Sequence, residues 1–357
     1  MKSKKSLGLP RGTHRAKWGQ NFLRDKRILK KIADFAQIEK EDTVVEVGSG
    51  EGTLTSFLLE KAKKVIAIEK DSDLALLLRE KFKEEIKVGK LEVVEGDILD
   101  LEIQNIFSPQ AQKCTDIFLL KNSSCSAQSA SQGISKLADS KYFGKSYKLV
   151  GNIPYYITGA LFKKALEAEN PPKSITFVVQ KEVSERIMAR DGKESILSIS
   201  IKAYGTPEYG GIIKAGSFYP KPKVDSAIIS VRDISKKHFI NAVEKRSSSL
   251  STDIFLLKNS SARSVELRKA RSEDFFQLQQ FEQKFFEILK KGFAHKRKFL
   301  IKNLAEVSKV AFENCPEKAT FDTSNLKEIF EKCEISEKTR AENLRVKDWV
   351  AIARELT

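Results

Sequence analysis

The residues from Val44 to Thr55 constrain this chain more than any others. They read Val-Val-Glu-Val-Gly-Ser-Gly-Glu-Gly-Thr-Leu-Thr. A short β-branched run stops at Gly48, glycines follow at alternate positions 48, 50 and 52, and an apolar helix opening comes next. Strand, glycine turn and helix in that order form the first unit of an open α/β sheet, whose ligands bind at the carboxyl ends of the strands. Glycine suits such a turn because the backbone needs unusual dihedrals and must let a ligand come close.

The acids around the turn speak to the ligand's charge. Glu46 lies in the strand and Glu51 in the turn. Both disfavour a pyrophosphate and suit a ligand carrying positive charge. A second apolar run, Val65 to Ile68, ends in Glu69, and an acid about 20 residues past the glycines can accept both hydroxyls of a ribose. Lys70 beside it is assigned to the same site. A nucleoside with a cationic attachment, S-adenosylmethionine, fits these residues. The glycine turn by itself also fits NAD or FAD, or a purely structural turn. Asp71 to Phe82 reads as a helix and Leu91 to Val94 as a third strand, followed by Gly96-Asp97-Ile98. Asp97 can accept from the exocyclic amine of an adenine while Ile98 covers the ring. The plainer alternative is a surface turn.

Charge narrows the partner. Lys and Arg number 64 against 48 Asp and Glu, a formal net charge of +16. That excess points to an anionic partner, most often nucleic acid, or else to a solvated basic surface. No apolar run is long enough to cross a membrane, and the basic N-terminus has no apolar signal core behind it. Cys114, Cys125, Cys315 and Cys333 show no paired spacing and read as reduced thiols of a cytoplasmic protein. His14, His238 and His295 are too scattered for a metal site or a catalytic triad. The expectation is a cytoplasmic monomer without metal.

The chain divides in sequence into a basic arm over 1–24, an α/β domain over 25–232 and a helical domain over 233–357. Near the end of the arm, Phe22 and Leu23 are apolar enough to pack, while Gln20 and Asn21 offer polar groups to a ligand. Ile28, Leu29, Ile32 and Phe35 then share one helical face. Two segments, about 103–146 and 247–274, interrupt the pattern. Each carries the same ten residues, at Thr115 to Ser124 and at Thr252 to Ser261. Two copies without a regular period do not make a solenoid, so they read as inserts in surface loops.

A fourth strand, Tyr147 to Gly151, ends in Asn152-Ile153-Pro154-Tyr155. The exocyclic amine of a base is a poor nucleophile because its lone pair is delocalised into the ring. Acceptors aimed at its two hydrogens localise that pair and turn it toward an electrophile. The Asn152 side-chain oxygen and the Ile153 carbonyl can supply them. Pro154 fixes the turn and Tyr155 offers a face for stacking the base. Positioning then supplies most of the rate. Farther on, Ile175 to Gln180 reads as a strand, and Lys181 and Arg186 lie on the helix after it. Gly210 to Ala215 and Val224 to Val231 pair as the last strands, with Lys221 and Lys223 between them. In the helical domain, His295, Lys296, Arg297 and Lys298 form a basic patch suited to phosphates. The last helix spans Val346 to Leu356.

The chain resembles the ribosomal RNA adenine dimethyltransferase family, in particular the branch acting on small-subunit rRNA. The resemblance rests on Gln20-Asn21-Phe22-Leu23, Glu46 to Thr55, Glu69, Gly96-Asp97-Ile98, Asn152 to Tyr155, Phe218 to Ala227, Phe293 to Lys298 and Arg340 to Leu344. It implies a Rossmann-like class I S-adenosylmethionine-dependent methyltransferase sheet, mostly parallel with the last strand antiparallel, and a small all-α C-terminal domain. It implies a cofactor site at Gln20, Asn21, Phe22, Leu23, Glu46, Gly48, Ser49, Gly50, Gly52, Glu69, Lys70, Asp97, Ile98 and Asn152. Ser49 stands where the family often has proline, while the surrounding glycines and acids are kept. The target base would be held by Asn152, Ile153, Pro154 and Tyr155, with Phe218 stacked on its other face. The implied substrate is small-subunit rRNA or its precursor particle, methylated at N6 of two adjacent adenines in a 3′-terminal hairpin loop. Two rivals share the fold: a large-subunit rRNA methyltransferase of the macrolide-resistance type, and a non-catalytic RNA-binding assembly factor.

Overall fold

The computed structural model describes residues 20–101, 146–168, 170–244, 265–308 and 323–356. The arm before Gln20, most of both inserts, both copies of the repeated decapeptide and three of the four cysteines lie outside the described residues.

Nine strands are described: β1 Phe22–Leu23, β2 Thr43–Val47, β3 Lys64–Glu69, β4 Leu91–Glu95, β5 Tyr147–Asn152, β6 Ser174–Gln180, β7 Thr206–Ile213, β8 Phe218–Tyr219 and β9 Ser226–Arg232. Seven of them form one sheet in the order β4-β3-β2-β5-β6-β9-β7, while β1 pairs with β8 in a separate antiparallel ribbon. From β4 through β6 the strands are parallel. The last strand, β9, enters between β6 and β7, and the sheet is mostly parallel with an antiparallel strand, as the resemblance implies. The strands read as continuous apolar runs because both faces of a parallel sheet are covered. β6, for example, is buried along Ser174 to Val179.

Register sets the level of the site. Val47 pairs with Ile68 on one side and with Gly151 on the other, and Glu69 pairs with Glu95. The carboxyl ends of β2, β3, β4 and β5 therefore finish together. Strand order reverses between β2 and β5, the topological switch point at which open α/β sheets bind ligands.

Helix α1, Lys26–Phe35, starts at Asp25, whose side chain accepts from the Arg27 amide. Helix α2, Thr53–Lys61, runs straight out of the glycine turn. Helix α3, Ser72–Lys81, is capped by Asp71, which accepts from the amides of Asp73 and Leu74. Ile32, Leu58, Val65 and Leu78 are among the side chains that close one core around these elements.

The chain separates into two compact units, one comprising residues 1–181 and 209–230 and the other 182–208 and 231–357. The segment 182–208 thus groups with the helical unit. Its helix Ile196–Lys202 packs against the long helix Val265–Gly292. That long helix starts inside the second insert, so 265–274 of it is helical. Phe239, Phe281, Phe285 and Leu289 are buried in this unit, and Phe293 stacks on the wholly buried Trp349 at a ring separation of 5.5 Å.

Candidate functional site

The turn after β2 is shaped by its glycines. Gly48 and Gly50 hold φ values of +70° and +55°, which side chains with a Cβ rarely adopt. At Gly50 a Cβ would also lie 3.1 Å from the Phe22 ring. The Gly48 amide donates to the Ile68 carbonyl at 2.9 Å, so the turn is tied to the end of β3. A Cβ on Gly48 would stand 3.6 Å from the Asn152 carbonyl oxygen, which brings the end of β5 to the same place.

One cavity opens along these strand ends. It is lined by Gln20, Asn21 and Phe22 from the N-terminal side, Gly48 and Gly50 from the turn, Glu69 at the end of β3 and Lys70 just past it. Asp97 and Ile98 after β4, Asn152 at the end of β5, and Ile153, Pro154 and Tyr155 just past it also line it. Residues far apart in sequence meet because consecutive strand ends converge.

Glu69 is buried, yet both of its oxygens are engaged. Oε2 accepts from the Gly50 amide at 2.8 Å and Oε1 from the Asp71 amide at 3.0 Å. Each oxygen keeps a second lone pair for a hydroxyl. Burial pushes the Glu69 carboxyl above its ordinary value, against the pull of those two amides. Asp97 accepts from the Leu99 amide at 2.9 Å and from Lys70 Nζ at 2.8 Å. Partial burial works to raise Asp97, but the Lys70 ammonium and the Leu99 amide together outweigh it and hold the carboxyl below the usual range. Asp97 is thus a charged acceptor.

The Asn152 amide is oriented by its own donor: Nδ2 gives a hydrogen bond to the Asn21 carbonyl at 2.9 Å. Tyr155 is anchored through its hydroxyl to Ser226 Oγ at 2.7 Å, and burial raises its phenol above the ordinary value. Acceptors for an amine and a fixed aromatic face therefore line the same cavity as acids suited to a ribose and an adenine.

Several residues assigned from the sequence do not line this cavity. Glu46 is buried in the sheet, where Oε2 accepts from Thr55 Oγ1 at 2.6 Å, and burial pushes its carboxyl up to about 7. Glu51, the other acid read as facing a cationic ligand, forms an ion pair with Arg24 at 2.8 Å. Leu23 and Phe218 pair across the β1–β8 ribbon and are both buried in the core cluster. Phe218 is 5 % exposed, so its ring fills the core instead of presenting a face to a base. Ser49 is buried, and a Cβ on Gly52 would press on Phe82 and Leu78. These residues shape the turn from behind.

The basic residues fall into two groups. Lys181, Lys221 and Lys223 belong to the first unit, and the two loop lysines are exposed. Arg186 and the run His295, Lys296, Arg297 and Lys298 belong to the second unit and are exposed. Asn303 holds the latter turn, donating to the carbonyls of Gly292 at 2.6 Å and His295 at 3.2 Å. Two aromatic residues were not singled out from the sequence. Tyr156 lines the cavity and is largely exposed, as is Tyr219 on the β1–β8 ribbon. Alternation in the two-residue strand β8 could have separated Phe218 from Tyr219 by face, but so short a strand leaves no periodic signal.

Among the described residues no cluster of His, Cys, Asp and Glu could hold a metal ion, and no helix is long and apolar enough to cross a membrane. The family model for ribosomal RNA adenine dimethylase matches residues 11–278. Ribosomal RNA small subunit methyltransferase A of Fusobacterium nucleatum is 29% identical over 341 residues, 95% of this chain and 96% of that relative. The protein of the same name from Dehalococcoides mccartyi is 36% identical over 213 residues, 60% of each chain. Among solved structures, the dimethyladenosine transferase from Plasmodium falciparum superposes with a TM-score of 0.59 at 23% identity, covering 93% of this chain and 95% of that one. The 23S rRNA methyltransferase ErmE gives a TM-score of 0.56 at 20% identity over 94% of this chain and 99% of its own. At these identities the two structural likenesses bear on the fold alone.

Proposed function

Because the chain belongs to the ribosomal RNA adenine dimethylase family, we propose that it methylates N6 of two adjacent adenines in the 3′-terminal hairpin loop of small-subunit rRNA, giving N6,N6-dimethyladenosine. Membership makes it an S-adenosylmethionine-dependent rRNA adenine dimethyltransferase. The choice of subunit, the paired adenines and the residue roles are the proposal. The small-subunit assignment is supported by one relative that matches over 95% of the chain and by another that matches over 60% of it. The single observation that carries the chemistry is the meeting of Glu69, Asp97 and the Asn152 to Tyr155 turn in one cavity.

The residues present fit S-adenosylmethionine: a glycine turn open to close approach, a buried carboxylate with lone pairs to spare, and a charged Asp97 beside the apolar Ile98. When bound, the cofactor supplies an electrophilic methyl group on a sulfonium. In this reading Glu69 accepts the ribose hydroxyls. Asp97 accepts from the cofactor's adenine amine, and Ile98 covers that ring. Asn152 Oδ1 and the Ile153 carbonyl accept the two hydrogens of the target amine, which aims its lone pair along the line of transfer. Asn21 keeps the Asn152 amide from flipping. Tyr155 stacks on the base, and Pro154 fixes the turn that presents it. No strong base is required, since the methylated amine cation loses its proton to water. The target adenine must leave its stack first, which costs least in a loop. Lys181, Arg186, Lys221, Lys223 and the His295 to Lys298 run are assigned to rRNA phosphates, with a cytoplasmic monomer acting on the small-subunit precursor.

The test is methyl transfer from labelled S-adenosylmethionine to unmethylated small subunits and to unmethylated large-subunit rRNA, with Asn152→Ala alongside. Label on the paired adenines of the small-subunit loop, lost in the variant, is the expected result. Label on large-subunit rRNA would move the chain to the other branch. Subunit binding without any label would leave an assembly factor.

A further inference from the structure

The β1–β8 ribbon carries a surface that the chemistry above does not use. Phe22 pairs with Tyr219, and Leu23 pairs with Phe218. Directly paired residues of an antiparallel ribbon share a face, and the next pair takes the opposite face. Leu23 and Phe218 face the core, at 2 % and 5 % exposure. Phe22 and Tyr219 therefore share the other face. Phe22 lines the cavity, and its partner across the ribbon, Tyr219, is 61% exposed. The Arg24 guanidinium lies 5.1 Å from the centre of the Tyr219 ring, and the same arginine is tied to Glu51 of the glycine turn at 2.8 Å. The ring is thus braced by a cation that is itself anchored.

From Tyr219 the chain passes through the exposed Lys221, Lys223 and Val224 and reaches Ser226, which holds the hydroxyl of Tyr155. The segment thus links two residues that line the cavity, Phe22 through its pairing with Tyr219 and Tyr155 through its bond to Ser226. It displays one braced aromatic ring and two lysines along the way. Alternating stacking faces and cations is how proteins hold a single nucleic-acid strand, and the stack tolerates any base.

We infer that Tyr219, braced by Arg24, is a stacking platform for an rRNA nucleotide flanking the adenine that enters the cavity. The inference rests on the rRNA reading above. It transfers the contact with RNA from Phe218, which the core occupies, to the adjacent residue on the exposed face. Lys221 and Lys223 take the phosphates on either side. Two neighbouring adenines are to be modified, so one must wait outside while the other reacts, and an exposed ring at the rim gives it a place.

The experiment uses the full chain and a single-stranded loop oligonucleotide with 2-aminopurine next to the target adenine, whose fluorescence is quenched by stacking on a ring. The wild type should quench it. Tyr219→Ala should not, and should lower kcat/KM on small-subunit rRNA about tenfold or more while leaving S-adenosylmethionine affinity unchanged. Tyr219→Phe should restore both signals, since the stack needs the ring and not the hydroxyl. Quenching and turnover unaltered in Tyr219→Ala would overturn the platform and leave the rRNA reading standing. Weakened cofactor binding in that variant would also overturn it, by placing the ring in the cofactor site. A wild type that transfers no methyl to small-subunit rRNA would overturn the reading and the platform with it.

Discussion

Asn152 at the end of β5 donates its side-chain amide to the backbone carbonyl of Asn21, 131 residues earlier in the chain, at 2.9 Å. The bond fixes which way the amide points, so Oδ1 is the atom left to accept a substrate amine. Asn152→Ala removes the acceptor and should cost about 10²–10³ in kcat, by analogy with loss of one preorganised group. Asn152→Asp keeps an acceptor but sets a carboxylate against the Asn21 carbonyl. It should be nearly as impaired. Single-turnover methylation of the rRNA substrate beside a cofactor titration separates these effects.

Glu69 organises the turn before any ligand arrives, because it accepts from the amides of Gly50 and Asp71. Glu69→Gln exchanges one acceptor oxygen for a donor that faces an amide hydrogen. Losing hydrogen bonds to a charged group costs about 1.5–3 kcal/mol, so S-adenosylmethionine affinity should fall about tenfold or more. Calorimetric titration reads it, and unchanged affinity would remove Glu69 from the ribose site.

Glu46 is buried beside Thr55, and its carboxyl is pushed up to about 7 from an ordinary 4.5. The folded state therefore holds a proton that the unfolded chain releases. The associated stability is fully present below 4.5 and is lost as pH rises through about 7. Glu46→Gln, which is neutral throughout, should flatten that loss, by on the order of 3 kcal/mol across the window. Urea midpoints at about pH 5 and about pH 8 check it. A variant with the wild-type slope would show that Glu46 does not titrate there.

Gly52 ends the turn at φ +70°, and a Cβ there would lie 2.5 Å from the Phe82 ring and 2.7 Å from Leu78. Gly52→Ala should cost about 1–3 kcal/mol of stability through backbone strain and overpacking together. Thermal unfolding reads the shift. A shift within error would mean that α3 gives way more easily than the packing implies.

The pattern of apolar runs and glycines determined the α/β sheet, the order of its elements and the cluster of motifs at the strand ends. Those features follow from local chemistry: β-branched residues in strands, glycine where φ is positive, and carboxylates or amides just past a strand. Tertiary structure decided which of those residues reach the cavity. Glu46 and Phe218 belong to motif stretches as plainly as Glu69 and Tyr155, yet each is turned into the core. The orientation of Glu46 depends on Thr55, within the same motif stretch, and that of Phe218 on Leu23, remote in sequence, and in neither case does spacing carry the direction in which the side chain turns. Grouping of 182–208 with the helical unit likewise depends on packing against the long helix Val265–Gly292, a contact between segments remote in sequence. Composition and spacing say what a residue can do. Burial, which depends on the whole chain closing around it, decides whether it meets the solvent side of the site.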